Sequence, residues 1–152
     1  MYIETSALAK RYLRETGSDE FDGFLGRMLS ASISRLTIVE FRCLLGRRRR
    51  NRDIDADAEH RAADALDEDV TEGFLEVYPL EDRHAAAARD LLTRLYAIPL
   101  RTLDALHLAI AGAMGAATIA TADRILAAAG SELGFQVEYF GRDKRRVERR
   151  AR

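Results

Sequence analysis

The sequence predicts an α/β protein built on a mostly parallel sheet with helices on both faces. Short apolar runs such as Tyr2–Glu4 and Thr118–Thr121 alternate with longer segments in which apolar residues recur at three- and four-residue spacing. Strands that alternate with helices are joined by crossovers, and crossovers place the helices over the faces of a parallel sheet. With 152 residues, 47% of them apolar, the chain has material for one core, and no linker or internal repeat divides it.

Tyr2–Glu4 reads as a short strand. Ser6–Arg14 follows as a helix, with Leu8, Ala9, Tyr12 and Leu13 on one face. Gly17 punctuates, and Ser18 is placed to cap a second helix carrying Phe21, Phe24, Leu25 and Met28. Ser32–Arg35 is the second strand, and Thr37 caps a helix through about Gly46. Ile54–Gly73 is a long helix with Ala58, Ala62, Leu66 and Val70 on one stripe. Phe74–Tyr78 is a strand, and Leu80–Tyr96 an amphipathic helix with Ala88, Leu91, Leu92 and Leu95 inward. Thr102 caps an apolar helix from Leu103 to about Met114, and Thr118–Thr121 is a buried strand. Asp123–Ala129 is a short helix stopped by Gly130, and Phe135–Tyr139 the last strand. Pro79 and Pro99 both fall between periodic segments.

The single cysteine, Cys43, lies in the run TIVEFRCLL and reads as a buried small hydrophobe. One thiol builds no internal disulfide framework, and no signal peptide precedes the first strand, so a reducing, cytoplasmic setting is expected. The Ala105–Ala122 stretch is apolar but contains His107 and is bracketed by Asp104 and Asp123; a buried helix and strand account for it, not a membrane span. Net charge is −1, yet it is unevenly spread. Arg47–Arg52 and Arg142–Arg152 are basic blocks, and Asp53–Glu76 is acidic. Such blocks bind nucleic acid or a charged partner, or form a solvated helix end and a tail.

Ligands of open α/β sheets bind beyond the carboxyl ends of the strands. Glu4 and Asp123 both fall where a strand gives way to a helix. Glu40 sits between Val39 and Phe41, and Asp104 in the first turn of the most apolar helix. An ionised, unpaired acid buried in such surroundings costs several kcal/mol. Singly, acids at helix starts complement exposed N–H groups. Together, Glu4, Glu40, Asp104 and Asp123 can converge on one rim, where their mutual repulsion is relieved by a divalent cation. Oxygen ligands without zinc-type His/Cys spacing suit Mg2+ or Mn2+, and such a centre suits phosphodiester hydrolysis. Thr121 and Ser6 are placed to orient a carboxylate, or to serve strand packing and helix capping. His107, one turn after Asp104, is a proton shuttle or a packed, hydrogen-bonded histidine. Arg124 and Lys10 are phosphate contacts or solvated charges.

The segments YIETSALAKRYL, SRLTIVEFRCLL, LRTLDALHLAIA and IATADRIL resemble, in order and approximate spacing, the four acidic motifs of PIN-domain ribonucleases. The resemblance is closest to VapC-type toxins of toxin–antitoxin pairs and extends to about Phe140. It implies a three-layer α/β/α PIN-like domain, expected over residues 1–141; the basic tail that follows, 142–152, is expected from its charge to be flexible. It implies a Mg2+- or Mn2+-dependent endoribonuclease, a homodimer and a cognate antitoxin that masks the site. By motif, Glu4, Glu40, Asp104 and Asp123 fall on the metal-binding and catalytic acids, with Thr121 as the supporting hydroxyl and Glu4 and Asp104 as leading ligands. The family usually has Asp where this chain has Glu4, and the extra methylene shifts the carboxylate by roughly 1.5 Å.

Two other readings compete. A phosphatase or phospho-accepting receiver needs an Asp nucleophile after a strand and a nearby Lys, whereas here the first strand ends in Glu and the lysines are Lys10 and Lys144. A catalytically weak or inactive PIN-like module would hold RNA or a partner through its basic blocks.

Overall fold

A computed structural model describes residues 1–141 of the protein. Its elements, in chain order, are β1 (Tyr2–Ile3), α1 (Thr5–Tyr12), α2 (Ser18–Leu25), β2 (Ala31–Ser34), α3 (Arg35–Arg50), α4 (Ala56–Thr71), β3 (Leu75–Tyr78), α5 (Asp82–Arg94), α6 (Thr102–Ala113), β4 (Thr118–Thr121), α7 (Arg124–Glu132) and β5 (Gln136–Tyr139). The strands form one five-stranded sheet in the order β3-β2-β1-β4-β5. Every pairing in it is parallel. The expected tail, 142–152, lies outside the described residues.

Side chains of successive strand residues point to opposite faces, and the core divides accordingly. Ile3, Ile33 and Ala120 pack with Leu8, Phe41, Leu45 and Leu66 from the helices between β1 and β3. Tyr2 and Ile119 pack on the other face with Leu108, Ile110, Leu126 and Ala129 from α6 and α7. The result is the three-layer α/β/α arrangement. Its layers meet at β1, the central strand. The chain builds outward from β1 to β2 and β3, then returns to its other side with β4 and β5. That reversal opens a crevice at the carboxyl ends of β1 and β4.

Helix boundaries depart from the sequence reading where caps lie earlier, by three residues in α3 and by one in α6. Ser34, not Thr37, caps α3: Ser34 Oγ accepts from Thr37 N at 3.1 Å, and Thr37 Oγ1 accepts from Ser34 N at 3.2 Å. In α6 the first helical residue is Thr102, and Asp104 reaches back to the Arg101 N–H at 3.1 Å. Helix α3 runs past Gly46 to Arg50, because arginines are good helix formers whose charge suits a helix carboxyl end. Arg48 pairs with Glu15 at 2.6 Å and Arg49 with Glu59 at 2.8 Å, which fastens this basic run to α4 and the α1–α2 turn. Gly130 is not the stop of α7. It is buried within the helix, and a Cβ there would lie 3.3 Å from Val137 Cγ2, so glycine permits close approach to β5. Gly134, at φ +89°, ends the turn that follows.

Among the described residues no helix is long and apolar enough to cross a membrane. Cys43 is exposed, contrary to the buried position expected of it. It lies one turn beyond Glu40, on the side of α3 that faces the cleft, whereas Phe41 and Leu45 take the core side.

Candidate metal centre

The chain leaves β1 at Glu4, whose backbone N–H still bonds to Ala120 O at 2.9 Å. The side chain then folds back as the cap of α1. Glu4 Oε1 accepts from Ser6 N at 2.9 Å, while Oε2 accepts from Thr121 Oγ1 at 2.8 Å and from the Ser6 hydroxyl. Ser6 Oγ in turn accepts from Ala122 N at 2.8 Å, and Thr121 Oγ1 from Asp123 N at 3.0 Å. These two hydroxyls stitch the β1 exit to the β4 exit. Glu4 is 7% exposed, and burial pushes its carboxyl above the usual carboxylate range. The charge of His107 and the Ser6 and Thr121 hydrogen bonds oppose that rise.

Glu40, half-buried on α3, meets His107 of α6 across the cleft floor. His107 is 1% exposed; its Nε2 lies 2.5 Å from Glu40 Oε2, and its Nδ1 lies 2.5 Å from the Tyr2 hydroxyl. An ionised carboxylate only accepts, so Nε2 carries the proton. Thr5 donates its hydroxyl to the same Glu40 oxygen. Desolvation raises Glu40, but the hydrogen bond and charge of His107, with Thr5 and Arg101, carry it below its ordinary value. Tyr2 itself is pushed up by burial and stays a phenol, within 2.9 Å of Ser34 Oγ.

Asp104 and Asp123 line the same cleft of about 480 Å³ as Glu4 and Glu40, so all four acids open on one cavity. Ligand atoms of Glu4, Glu40 and His107 lie within 4.8 Å of one another. Among the described residues Asp104 and Asp123 do not enter that trio. Arg101 binds them instead: its guanidinium lies 3.0 Å from Asp104 Oδ2 and 2.5 Å from Asp123 Oδ2. Asp123 also caps α7, accepting from Ile125 N and Leu126 N. Arg124 is exposed and does not line the cleft, and Lys10 is buried in an ion pair with Glu15 at 3.0 Å.

The donor set fits a hard divalent cation. Two carboxylates face one another within ligand distance, and the donors that reach Glu4 are all neutral. Since His107 Nε2 spends its proton on Glu40, it orients that carboxylate and cannot ligate while doing so. Sequence reading missed Tyr2, Thr5 and Arg101. The first lies 105 positions from His107. Arg101, three residues before Asp104, carried a local signal as an (i, i+3) partner.

Fold and cleft together define a parallel α/β domain with an acidic, cation-competent centre at its topological switch point. The chain belongs to the PIN-domain family, whose pattern matches residues 1–132. Solved structures share the fold. VapC20 of Mycobacterium tuberculosis, described as a sarcin-ricin loop cleaving toxin, superposes with a TM-score of 0.70 at 20% identity, over 85% of this chain and 94% of that one. FitAcB from Neisseria gonorrhoeae gives 0.64 at 14% identity, over 90% and 94%. VapBC2 from Rickettsia felis, bound to a DNA fragment from their promoter, gives 0.62 at 14%, over 91% and 97%. No curated protein matches the chain.

Proposed function

We propose that this protein is a Mg2+- or Mn2+-dependent endoribonuclease, the toxin of a type II toxin–antitoxin pair. In this reading it acts in the cytoplasm as a homodimer and is masked by a cognate antitoxin. The observation that carries the reading is that Glu4 and Glu40, which meet buried His107, line one cleft together with Asp104 and Asp123. The solved structure described as a sarcin-ricin loop cleaving toxin supports it through the shared fold.

Glu4 and Asp104 are the leading metal ligands, with Asp123 and Glu40 completing the acidic set. When bound, a divalent cation supplies an activated water and charge for the leaving oxygen. Thr121 and Ser6 hold the Glu4 carboxylate in one orientation. His107 and Thr5 engage Glu40 Oε2, which leaves Oε1 to accept a proton. Arg101 and Arg47, both on the cleft wall, provide positive charge for a phosphate.

The decisive test is cleavage of RNA by purified protein with Mn2+, with chelator, and in Asp104→Asn. Cleavage is expected to stop with chelator and to fall about 100-fold or more in the variant. Turnover unchanged by either would refute the reading.

Arg101 also favours a second reading, a catalytically weak module that binds RNA or a partner, because its guanidinium already supplies the cation for Asp104 and Asp123. Arg101→Ala separates the two. The arginine side chain is 66% exposed, so its competition is worth ~1 kcal/mol or less. Under the nuclease reading the variant binds Mn2+ up to about fivefold more tightly by titration calorimetry. A binding module shows RNA retention without metal and without turnover.

A further inference from the structure

A second cavity, about 610 Å³, lies away from the acidic cleft, between α5, the carboxyl half of α6 and the α7–β5 connection. Its walls are mainly apolar, with Leu91, Leu108, Ala109 and Phe135 among them. His84 lines it too. That ring is 1% exposed, and its Nε2 is the buried side-chain polar atom without a hydrogen-bond partner among the described residues. The other nitrogen, Nδ1, accepts from Glu81 N at 2.9 Å. A ring that accepts at Nδ1 carries its proton on Nε2, so the orphan is an N–H donor.

A buried donor left unmade costs free energy comparable to a lost hydrogen bond. Two further groups bias what satisfies it. Arg94 stands on the cavity rim with no ion-pair partner among the described residues, whereas Asp90 is tied to Arg89 at 2.9 Å and Arg83 to Glu81 at 2.7 Å. The uncompensated charge of the rim is therefore positive. We infer that this cavity is a binding site for a small hydrophobic carboxylate, whose oxygen accepts from His84 Nε2 and pairs with Arg94 while its hydrocarbon part covers Leu108 and Phe135. A volume of this size with few convergent polar groups is typical of small-molecule sites. The occupant would lie against the helix whose first half carries Asp104 and His107.

Sodium octanoate is the probe, with 1-octanol as its uncharged counterpart and NMR of the uniformly labelled full chain as readout. Octanoate is expected to saturate with a Kd below about 1 mM. It should move the His84 Nε2–H resonance together with those of Leu108 and Phe135. Octanol should bind about tenfold more weakly. His84→Phe, which leaves Arg94 in place, should reduce the preference for octanoate to about threefold. Arg94→Gln, an exposed change that leaves the core intact, should weaken octanoate about threefold and octanol not at all. Equal affinity for acid and alcohol, shifts confined to other regions, absence of saturation, or a His84 N–H already bonded to a resident water that octanoate does not displace would overturn the inference. None of these readouts depends on metal or RNA, so their failure leaves the nuclease reading untouched, and the converse holds.

Discussion

Glu4→Gln is expected to reduce metal affinity and RNA cleavage by about 100-fold or more while making the metal-free protein more stable at neutral pH. Replacing a buried functional charge commonly trades function for stability, and opposite signs are the expected pattern here. Burial pushes the Glu4 carboxyl above its ordinary value of 4.5. Between the unfolded value and the raised native one, the native state therefore holds a proton that the unfolded chain has released. Stability from this group is complete below the unfolded value and is lost as pH rises through the raised native value. Gln keeps the acceptor for Ser6 N and removes the ionisable group. In the presence of chelator, its melting temperature should exceed that of the parent protein at about pH 8, with the gap closing toward about pH 5. Glu40 acts in the other direction. Its value is depressed, so its contribution is present above the unfolded value and disappears as pH falls through the native one. A Glu4→Gln protein that melts lower than the parent at every pH, or that binds Mn2+ as well, would contradict this account.

Phe41→Ala is expected to cost ~3–5 kcal/mol, enough to move the melting temperature by about 10–15 °C. Phe41 is completely buried and packs its ring against Tyr12 at a centroid distance of 5.4 Å. That contact joins α3 to α1, the two helices that present Glu40 and Glu4. The cavity left behind would loosen both acids at once, so cleavage should decline along with the urea midpoint. Val39, two residues earlier and 67% exposed, is the control. Val39→Ala should change stability by less than about 0.5 kcal/mol. Comparable losses at both positions would mean that α3 is not anchored through Phe41.

Much of the architecture was legible because period and punctuation agreed. Thr118–Thr121 is the strand that its apolar run predicts, and the order of strands and helices is the expected one. The exits at Glu4 and Asp123 were readable for the same reason, an acid following an apolar strand. Their meeting on one cleft was readable only as an inference about strand ends, since the adjacency of β1 and β4 is a pairing across the whole chain. Two kinds of information were hidden. One is long-range side-chain contact: Tyr2, His107 and Glu40 form a chain of hydrogen bonds whose members share no local pattern. The other is competition for a partner. Asp104 and Asp123 each looked like a metal ligand or a helix-start acid, and only the fold shows Arg101 lying between them. Cys43 was misplaced because an apolar neighbourhood in sequence does not say which side of α3 each residue takes.

The central position of β1 has a consequence for biosynthesis. Its two-residue strand is made before β4, which it needs as one of its two neighbours, and Glu4 and Thr121 are separated by 117 positions. At ~5–20 residues per second, roughly 6–23 s of translation pass before both are available. Until then the nascent chain lacks the second wall of its acidic cleft, so the cleft assembles only after β4 has been made.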